Sequence, residues 1–264
     1  MSVVVGAPTA EFETKLPLLI IGAGAAGLCA ALAAKEAGVD AIVIERDAVP
    51  AGSTALSAGL IPAAGTRFQR TKGIDDSPQR FAADIQRKAN GEADPAVVEA
   101  VARGAGPLIE WLADRHRLPF DLVDNFTYPG HSALRMHGLP SRTGQELIDR
   151  LRSAAEANDI VILTERVVER LFAEPDGRIR GVDIMHRDGT HELVGCDALI
   201  LACNGFGGNP DLVRRYIPKW PARSISAIPE IVATLLFGAT SSAPRFCISA
   251  AIRATARWRR RTIS

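Results

Sequence analysis

One glycine-rich turn between two apolar runs constrains this 264-residue chain more than any other feature. Leu18-Leu19-Ile20-Ile21 is a continuous apolar run, the pattern of a parallel strand covered on both faces. Gly22-Ala23-Gly24-Ala25-Ala26-Gly27 follows, then an Ala-rich helical stretch from Leu28 to Glu36 that ends near Gly38, and a second apolar run, Ala41-Ile42-Val43-Ile44. Strand, turn, helix and strand in that order make a β-α-β unit, the start of a Rossmann-like α/β fold. Gly22 permits the tight turn out of the strand, Gly24 lets the backbone approach a pyrophosphate, and Gly27 lets helix and strand pack closely. The helix start offers unpaired N–H groups and the positive end of its dipole to the phosphates. Glu45 closes the unit 18 residues beyond Gly27, the spacing at which a carboxylate accepts hydrogen bonds from a ribose diol. Arg46 beside it suits a 2′-phosphate, which Glu45 would repel. The alternative is an Ala/Gly-rich helix packed on a strand with no ligand at all.

A second glycine-rich segment, Gly52-Ser53-Thr54-Ala55-Leu56-Ser57-Ala58-Gly59, begins seven residues after Glu45. A simple nicotinamide-binding domain has no need of it, whereas an extended FAD requires a second backbone surface along its pyrophosphate and ribityl. Read alone, the segment is also compatible with an ordinary polar loop. Further on, Val161-Ile162-Leu163, Val167-Val168, Gly181 to Met185 and His191 to Val194 read as strands, with turns at Asp176-Gly177 and Asp188-Gly189. Asp197 to Leu201 then reads as a separate buried strand running into Ala202-Cys203-Asn204-Gly205. A β-hairpin crossover that returns to a parallel strand is the wiring of two-dinucleotide-binding flavoproteins.

Taken together, Gly22 to Gly27 with Glu45, Gly52-Ser53-Thr54 with Ser57-Ala58-Gly59, and Ala202-Cys203-Asn204-Gly205-Phe206-Gly207-Gly208 carry a family resemblance. They resemble the FAD-binding half of the fumarate reductase/succinate dehydrogenase flavoprotein family, which includes flavocytochrome c-type fumarate reductases and 3-ketosteroid 1-dehydrogenases. The resemblance covers about residues 16 to 218. It implies that Gly22, Gly24, Ala26 and Gly27 hold the FAD phosphates and that Glu45, with Arg46 beside it, serves the adenosine ribose. By the same resemblance Ser53, Thr54, Ser57 and Gly59 line the path to the flavin. The backbone of Val167 meets the adenine, and the turn from Cys203 to Gly205 lies along the adenosine side. Family members commonly carry Ala-Thr-Gly where this chain has Ala-Cys-Asn-Gly, which removes a threonine hydroxyl. The implied chemistry is flavin-mediated hydride transfer to or from a C–C bond next to a carbonyl or carboxylate of a small-molecule substrate. In the family the residues that handle substrate lie beyond the position of Pro218, so no catalytic residue is assigned.

From Asp76 to Glu156 the pattern is mostly helical. Asp94-Pro95 starts one helix whose apolar face is expected from Val97, Val98, Val101, Leu108, Ile109 and Leu112, and a second runs from Thr143 or Gly144 to Ala157. Between them lie Tyr128, Gly130, His131, Arg135, His137, Ser141 and Arg142. These groups either contact a carboxylate substrate or the cofactor phosphates, or serve as solvated loop residues and caps. No metal-ligand spacing and no nucleophile-base pair is present in the sequence.

Thirty-one basic against thirty acidic residues give a net charge of +1, which argues against a nucleic-acid partner. Four scattered cysteines suggest a reducing cytoplasm, and no run is long and apolar enough to span a membrane. The charge is unevenly placed, with seven arginines, no lysine and one acid from Pro221 to Ser264. Around Lys219 the composition breaks, and the fixed codon bases from Ser224 onward permit Leu-Tyr-Phe-Gly-His-Pro-Gly-Asp in a shifted frame. The expectation is an N-terminal tail over 1–15, a partial FAD-binding domain over 16–218 and an out-of-frame tail over 219–264. The alternatives are a genuine basic extension for the tail, and for the whole chain a non-catalytic FAD- or ADP-binding module or an NAD-dependent dehydrogenase. Oligomeric state is left open.

Overall fold

The apolar runs of the N-terminal segment become neighbouring strands of one sheet. A computed structural model describes residues 4–6, 12–216 and 218. They fall into two compact units, one formed by the chain up to Leu56 and again from Leu147, the other by Ser57–Glu146. The expected domain over 16–218 is thus divided, and the expected tail from Lys219 lies outside the described residues.

The first unit is built on a seven-stranded sheet. Its strands are β1 (Val4–Gly6), β2 (Thr14–Ile21), β3 (Ala41–Ile44), β7 (Val161–Leu163), β8 (Arg166–Ala173), β9 (Ile179–His186) and β10 (His191–Leu201), in the spatial order β1-β8-β9-β10-β2-β3-β7. β10, β2, β3 and β7 run parallel, as the apolar runs require, while β8, β9 and β10 form the antiparallel crossover. Its turns use Gly177 at φ +88° and Gly189 at φ +82°, conformations that glycine adopts without steric cost. Leu19, Ile21, Ile44, Leu171, Val182 and Ile184 fill one core of this sheet. Helix α1 (Ala25–Glu36) crosses from β2 to β3.

Two expectations are corrected here. Residues 1–15 are not merely a tail. Val4–Gly6 adds an edge strand parallel to β8, and Phe12 lies so close under Gly181 and Gly195 that a Cβ on either would meet its ring at 2.5 Å and 2.9 Å. Nor is Asp197–Leu201 a separate strand buried on both faces. It continues β10 without a break, pairing with β2 alone past Gly195, and Asp197, Ala198 and Ile200 are exposed.

The first unit also holds α2 (Gly52–Ala55), most of α6 (Gly144–Ala157), a 3-10 turn at Phe206–Gly208 and α7 (Pro210–Tyr216). The second unit has a three-stranded sheet of β4 (Ile61–Pro62), β6 (Met136–Gly138) and β5 (Asp121–Leu122), in that spatial order, with helices α3 (Arg67–Thr71), α4 (Pro78–Lys88) and α5 (Pro95–His116). Asp94 caps α5 as expected, accepting from the amides of Ala96 (2.8 Å) and Val97 (3.3 Å). The buried face of α5 is Val98, Ala102, Gly106, Ile109 and Leu112; Val97 and Val101, expected inside, are each 49% exposed. Gly106 explains the change, because a Cβ there would come within 2.7 Å of the Ala64 carbonyl, so this stripe seats closest.

Candidate functional site

The turn after β2 shows why each of its glycines stands where it does. Gly22 has φ +101°, and a Cβ on it would sit 2.7 Å from the Ala202 carbonyl. A Cβ on Gly27 would sit 1.9 Å from the Gly22 carbonyl. Both therefore serve the packing of turn, helix and strand. Gly24 differs, since the nearest atom to its Cβ would be Thr54 Oγ1 at 3.7 Å, ordinary contact. Gly205 has nothing within 4 Å. Its φ of −120° is open to any residue. At Gly24 and Gly205 no atom of the described residues would crowd a side chain. Ala26 stands in the first turn of α1, exposed.

Glu45 is buried at the end of β3, and its carboxylate braces the turn. Oε2 accepts from the Ala23 amide at 2.8 Å and Oε1 from the Asp47 amide at 3.0 Å. A carboxylate has about four acceptor positions, so acceptor capacity remains for a diol. Arg46 turns its Nε to Asp47 Oδ1 at 3.2 Å. The Glu45 carbonyl accepts from the Arg166 amide at 3.0 Å, which brings the start of β8, with Val167 half-buried, beside this strand end. Burial, reinforced by the Glu45 charge, pushes the Cys203 thiol above its ordinary value.

The second glycine-rich segment is a short helix, α2, whose hydroxyls are tied to the protein. Thr54 Oγ1 accepts from the Ala25 amide at 3.1 Å, and Ser53 Oγ accepts from Asn204 Nδ2 at 2.7 Å. The structure therefore gathers Gly22, Gly24, Ala26, Gly27, Glu45, Arg46, Ser53, Thr54, Val167, Cys203 and Gly205 in the first unit. Ser57 and Gly59 belong to the second, where Ser57 Oγ accepts from the Gly59 amide at 3.0 Å and Gly59, at φ +62°, passes within 2.5 Å (from its Cβ position) of the Thr143 carbonyl. Asn204 was missed as a site residue in its own right. The signal was present, since Asn-Gly marks a turn and Asn replaces the usual residue there.

The basic loop of the second unit resolves against a role in ligand contact for its two most suggestive members. Arg135 is wholly buried and makes ion pairs with Asp76 through Nε and Nη2 (2.9 Å each) and with Asp84 through Nη1 (2.7 Å). His137 is buried between Thr66 Oγ1 (2.8 Å from Nε2) and the Arg135 carbonyl (3.0 Å from Nδ1). Arg142 points Nη1 at Asn125 (3.3 Å), Ser141 Oγ lies 2.8 Å from Thr143 Oγ1, and Gly130 offers its carbonyl to Arg87 (3.0 Å). The Tyr128 and His131 rings meet at a tilt of 38°, 6.0 Å between centroids. Among the described residues no helix is long and apolar enough to cross a membrane, and no group of three or more His, Cys, Asp or Glu side chains is placed to hold a metal ion.

A parallel sheet with an antiparallel crossover, a glycine turn at the end of its first long strand and an acid at the end of the next define a dinucleotide-binding unit of the flavoprotein type. The sequence family described as FAD binding domain matches residues 18–248, and the chain belongs to that family. It is 29% identical over 201 residues to the probable fumarate reductase Ifc3 of Shewanella frigidimarina, covering 76% of this chain and 34% of that protein. Urocanate reductase of Eggerthella lenta is 28% identical over 215 residues, covering 81% of this chain and 35% of the relative. The chain thus spans about a third of the length of these curated relatives. Among solved structures, the open conformation of a flavocytochrome c3 fumarate reductase superposes with a TM-score of 0.80 at 25% identity, over 89% of this chain and 41% of that one. A 3-ketosteroid-Δ4-(5α)-dehydrogenase from Rhodococcus jostii RHA1 shares the fold at a TM-score of 0.78 and 24% identity, over 89% and 55%.

Proposed function

We propose that this chain is the FAD-binding part of a flavin-dependent oxidoreductase of the fumarate reductase type. The reaction is hydride transfer to or from a C–C bond next to a carbonyl or carboxylate of a small molecule. The observation that carries the reading is the bare turn at Gly24 and Gly205, where no atom of the described residues would crowd a side chain, together with the braced Glu45 carboxylate. Such a surface fits the flat backbone contact of a pyrophosphate and the diol of a ribose. When bound, FAD supplies the two-electron chemistry, and the protein supplies binding, orientation and electrostatics.

In this reading Gly22, Gly24, Ala26 and Gly27 hold the pyrophosphate at the start of α1. Glu45 accepts from the adenosine ribose, with Arg46 turned aside to Asp47. Ser53, Thr54, Ser57 and Gly59 follow the cofactor towards the flavin, and Val167 with the turn Cys203–Gly205 takes the adenosine end. The substrate class is that of the relatives, a fumarate- or urocanate-like acid or a steroid-like ketone. The free thiols of Cys29, Cys196 and Cys203 support a reducing, cytoplasmic setting.

The test is a titration of the purified chain with FAD, followed by anaerobic reduction and addition of fumarate, urocanate or an enone steroid in turn. Flavin bands that stay with the protein support the cofactor reading, and with the frame restored beyond Pro218 reoxidation by one acceptor assigns the substrate class. A chain that leaves FAD free, or that turns over a nicotinamide cofactor in its place, overturns it. The frame change at Lys219 remains part of the proposal, and sequencing the gene across the Pro218 codon decides it.

A further inference from the structure

Asn204 is exposed, yet both ends of its side-chain amide are engaged with the protein. Oδ1 accepts from the Gly205 amide at 2.9 Å, and Nδ2 donates to Ser53 Oγ at 2.7 Å. Its φ is +68°. The left-handed conformation and the bond to the next amide are ordinary turn chemistry for asparagine. The bond to Ser53 is not, because its partner lies 151 residues away on α2. A glycine at 204 would adopt this φ with less strain, so the backbone alone does not ask for an amide here.

The consequence for α2 follows from its other tie. Thr54, the residue after Ser53, accepts from Ala25 in the first turn of α1. Two consecutive hydroxyls thus fasten α2 to two different walls, the glycine turn and the end of β10. Around this junction the backbone is kept bare, with Gly24 only 3.9 Å (at Cα) from where a Cβ on Gly52 would sit, and Gly205 open.

We propose that Asn204 is a positioning residue for the cofactor: through Ser53 it fixes α2 against the turn after β10 and so sets the wall along which the flavin half of the cofactor lies. The inference rests on the FAD-binding reading above. It assigns Ser53 an indirect role, with its hydroxyl holding Asn204 and not the cofactor. Through Ser53, Asn204 acts on the part of the ligand that FAD has and ADP lacks.

Asn204→Gly, Ser53→Ala and the double variant of the full chain, each titrated with FAD and with ADP, test this. Each single change is expected to weaken FAD binding about tenfold, the worth of one net hydrogen bond. ADP binding stays at the unaltered value in Ser53→Ala, whereas Asn204→Gly also alters the turn at the adenosine end, and the double variant binds FAD no more weakly than Asn204→Gly. Three results would overturn the proposal: FAD binding unchanged in both single variants, FAD and ADP weakened together in Ser53→Ala, or losses that multiply in the double variant because Ser53 touches the cofactor itself. If circular dichroism shows that Asn204→Gly does not fold, Ser53→Ala carries the FAD-against-ADP comparison alone, since it alters neither the turn nor its φ. An unaltered chain that takes up no FAD overturns the cofactor reading, which separates that failure from this one.

Discussion

The two units spend their polar groups in opposite ways. In the second, the charged cluster is closed: Arg135 faces Asp76 and Asp84, Asp84 also accepts from the amide and hydroxyl of Ser132 (2.8 Å each), and Gln69 ties Asp76 to the Leu134 carbonyl. In the first, the turn after β2 is nearly bare of side chains, and its acid keeps acceptor capacity after bracing two amides. The denser collection of charge is therefore structural, and the sparser one is the candidate site. Binding chemistry is read from groups left with something to do, and not from the number of ionisable residues in a loop.

The largest effect that would sharpen this contrast is expected from Arg135→Ala. Removing the guanidinium strips buried Asp76 of its ion-pair partner and leaves Asp84 paired with Arg87 alone, a cost of about 3–5 kcal/mol. A urea titration should show the loss in stability, and Arg135→Lys should recover only part of it, since an ammonium cannot reproduce the two-pronged pairing with Asp76. A folded Arg135→Ala protein of unchanged stability would break the comparison and return Arg135 to the ligand-contact group.

The two kinds of glycine in the first unit come next. Gly27→Ala places a methyl where the Gly22 carbonyl already stands, so turn and helix must separate, at about 1–3 kcal/mol of overpacking. Gly24→Ala meets only Thr54 Oγ1 at 3.7 Å, so its melting temperature should match the unaltered chain while FAD affinity falls by roughly tenfold or more, about 1.4 kcal/mol. Equal losses of stability in the two variants would show that Gly24 is a packing glycine after all. Glu45→Gln is expected to be milder in the apo chain, about 1 kcal/mol, because an amide oxygen can still accept from one of the two N–H groups that the carboxylate braces. Thermal melting without FAD measures it.

Much of the first unit was legible because its signals are local. The runs Leu18–Ile21 and Ala41–Ile44, the turn between them and the hairpin turns at Gly177 and Gly189 all appear where period and glycine placement put them. What was not legible depends on distant partners. Whether Asp197–Leu201 is a new strand or the continuation of β10 is decided by β9 ending opposite Gly195 while β2 continues, a matter of register. The strand at Val4–Gly6 exists because β8 offers an edge to it. At the candidate site, Gly22, Gly24 and Gly27 stand in one turn, and Glu45 braces it through the Ala23 amide. The amide of Asn204 and the closure of Arg135 and His137 were not read, because spacing in sequence says nothing about a partner 151 or 59 residues away.

The smallest effect concerns acid, and it separates the two kinds of buried polar group within the second unit. His137 is neutral in a chain of bonds: the Gln69 amide donates to Thr66 Oγ1, the Thr66 hydroxyl donates to Nε2, and Nδ1–H donates to the Arg135 carbonyl. Burial holds its proton affinity below the ordinary 6.5, against the opposing pull of the Arg135 and Ile61 carbonyls and the Asp121 and Glu110 carboxylates. An unfolded chain takes up a proton there that the folded chain refuses, so the stability involved is complete above pH 6.5 and is lost as pH falls from 6.5 towards the folded value. Asp84 has the same sign at lower pH. Burial pushes it up, but Ser132, Arg87 and Arg135 outweigh burial and hold it well below 3.8, so its contribution is lost only as pH falls below that value. Melting temperature should therefore decline in two steps, the first starting near neutrality. His137→Gln should lower the melting temperature at neutral pH and flatten the first step, leaving the second in place. A first step of undiminished slope in that variant would show that the titrating imidazole is another one, with half-buried His131, lowered by burial and by Arg135, the next to replace.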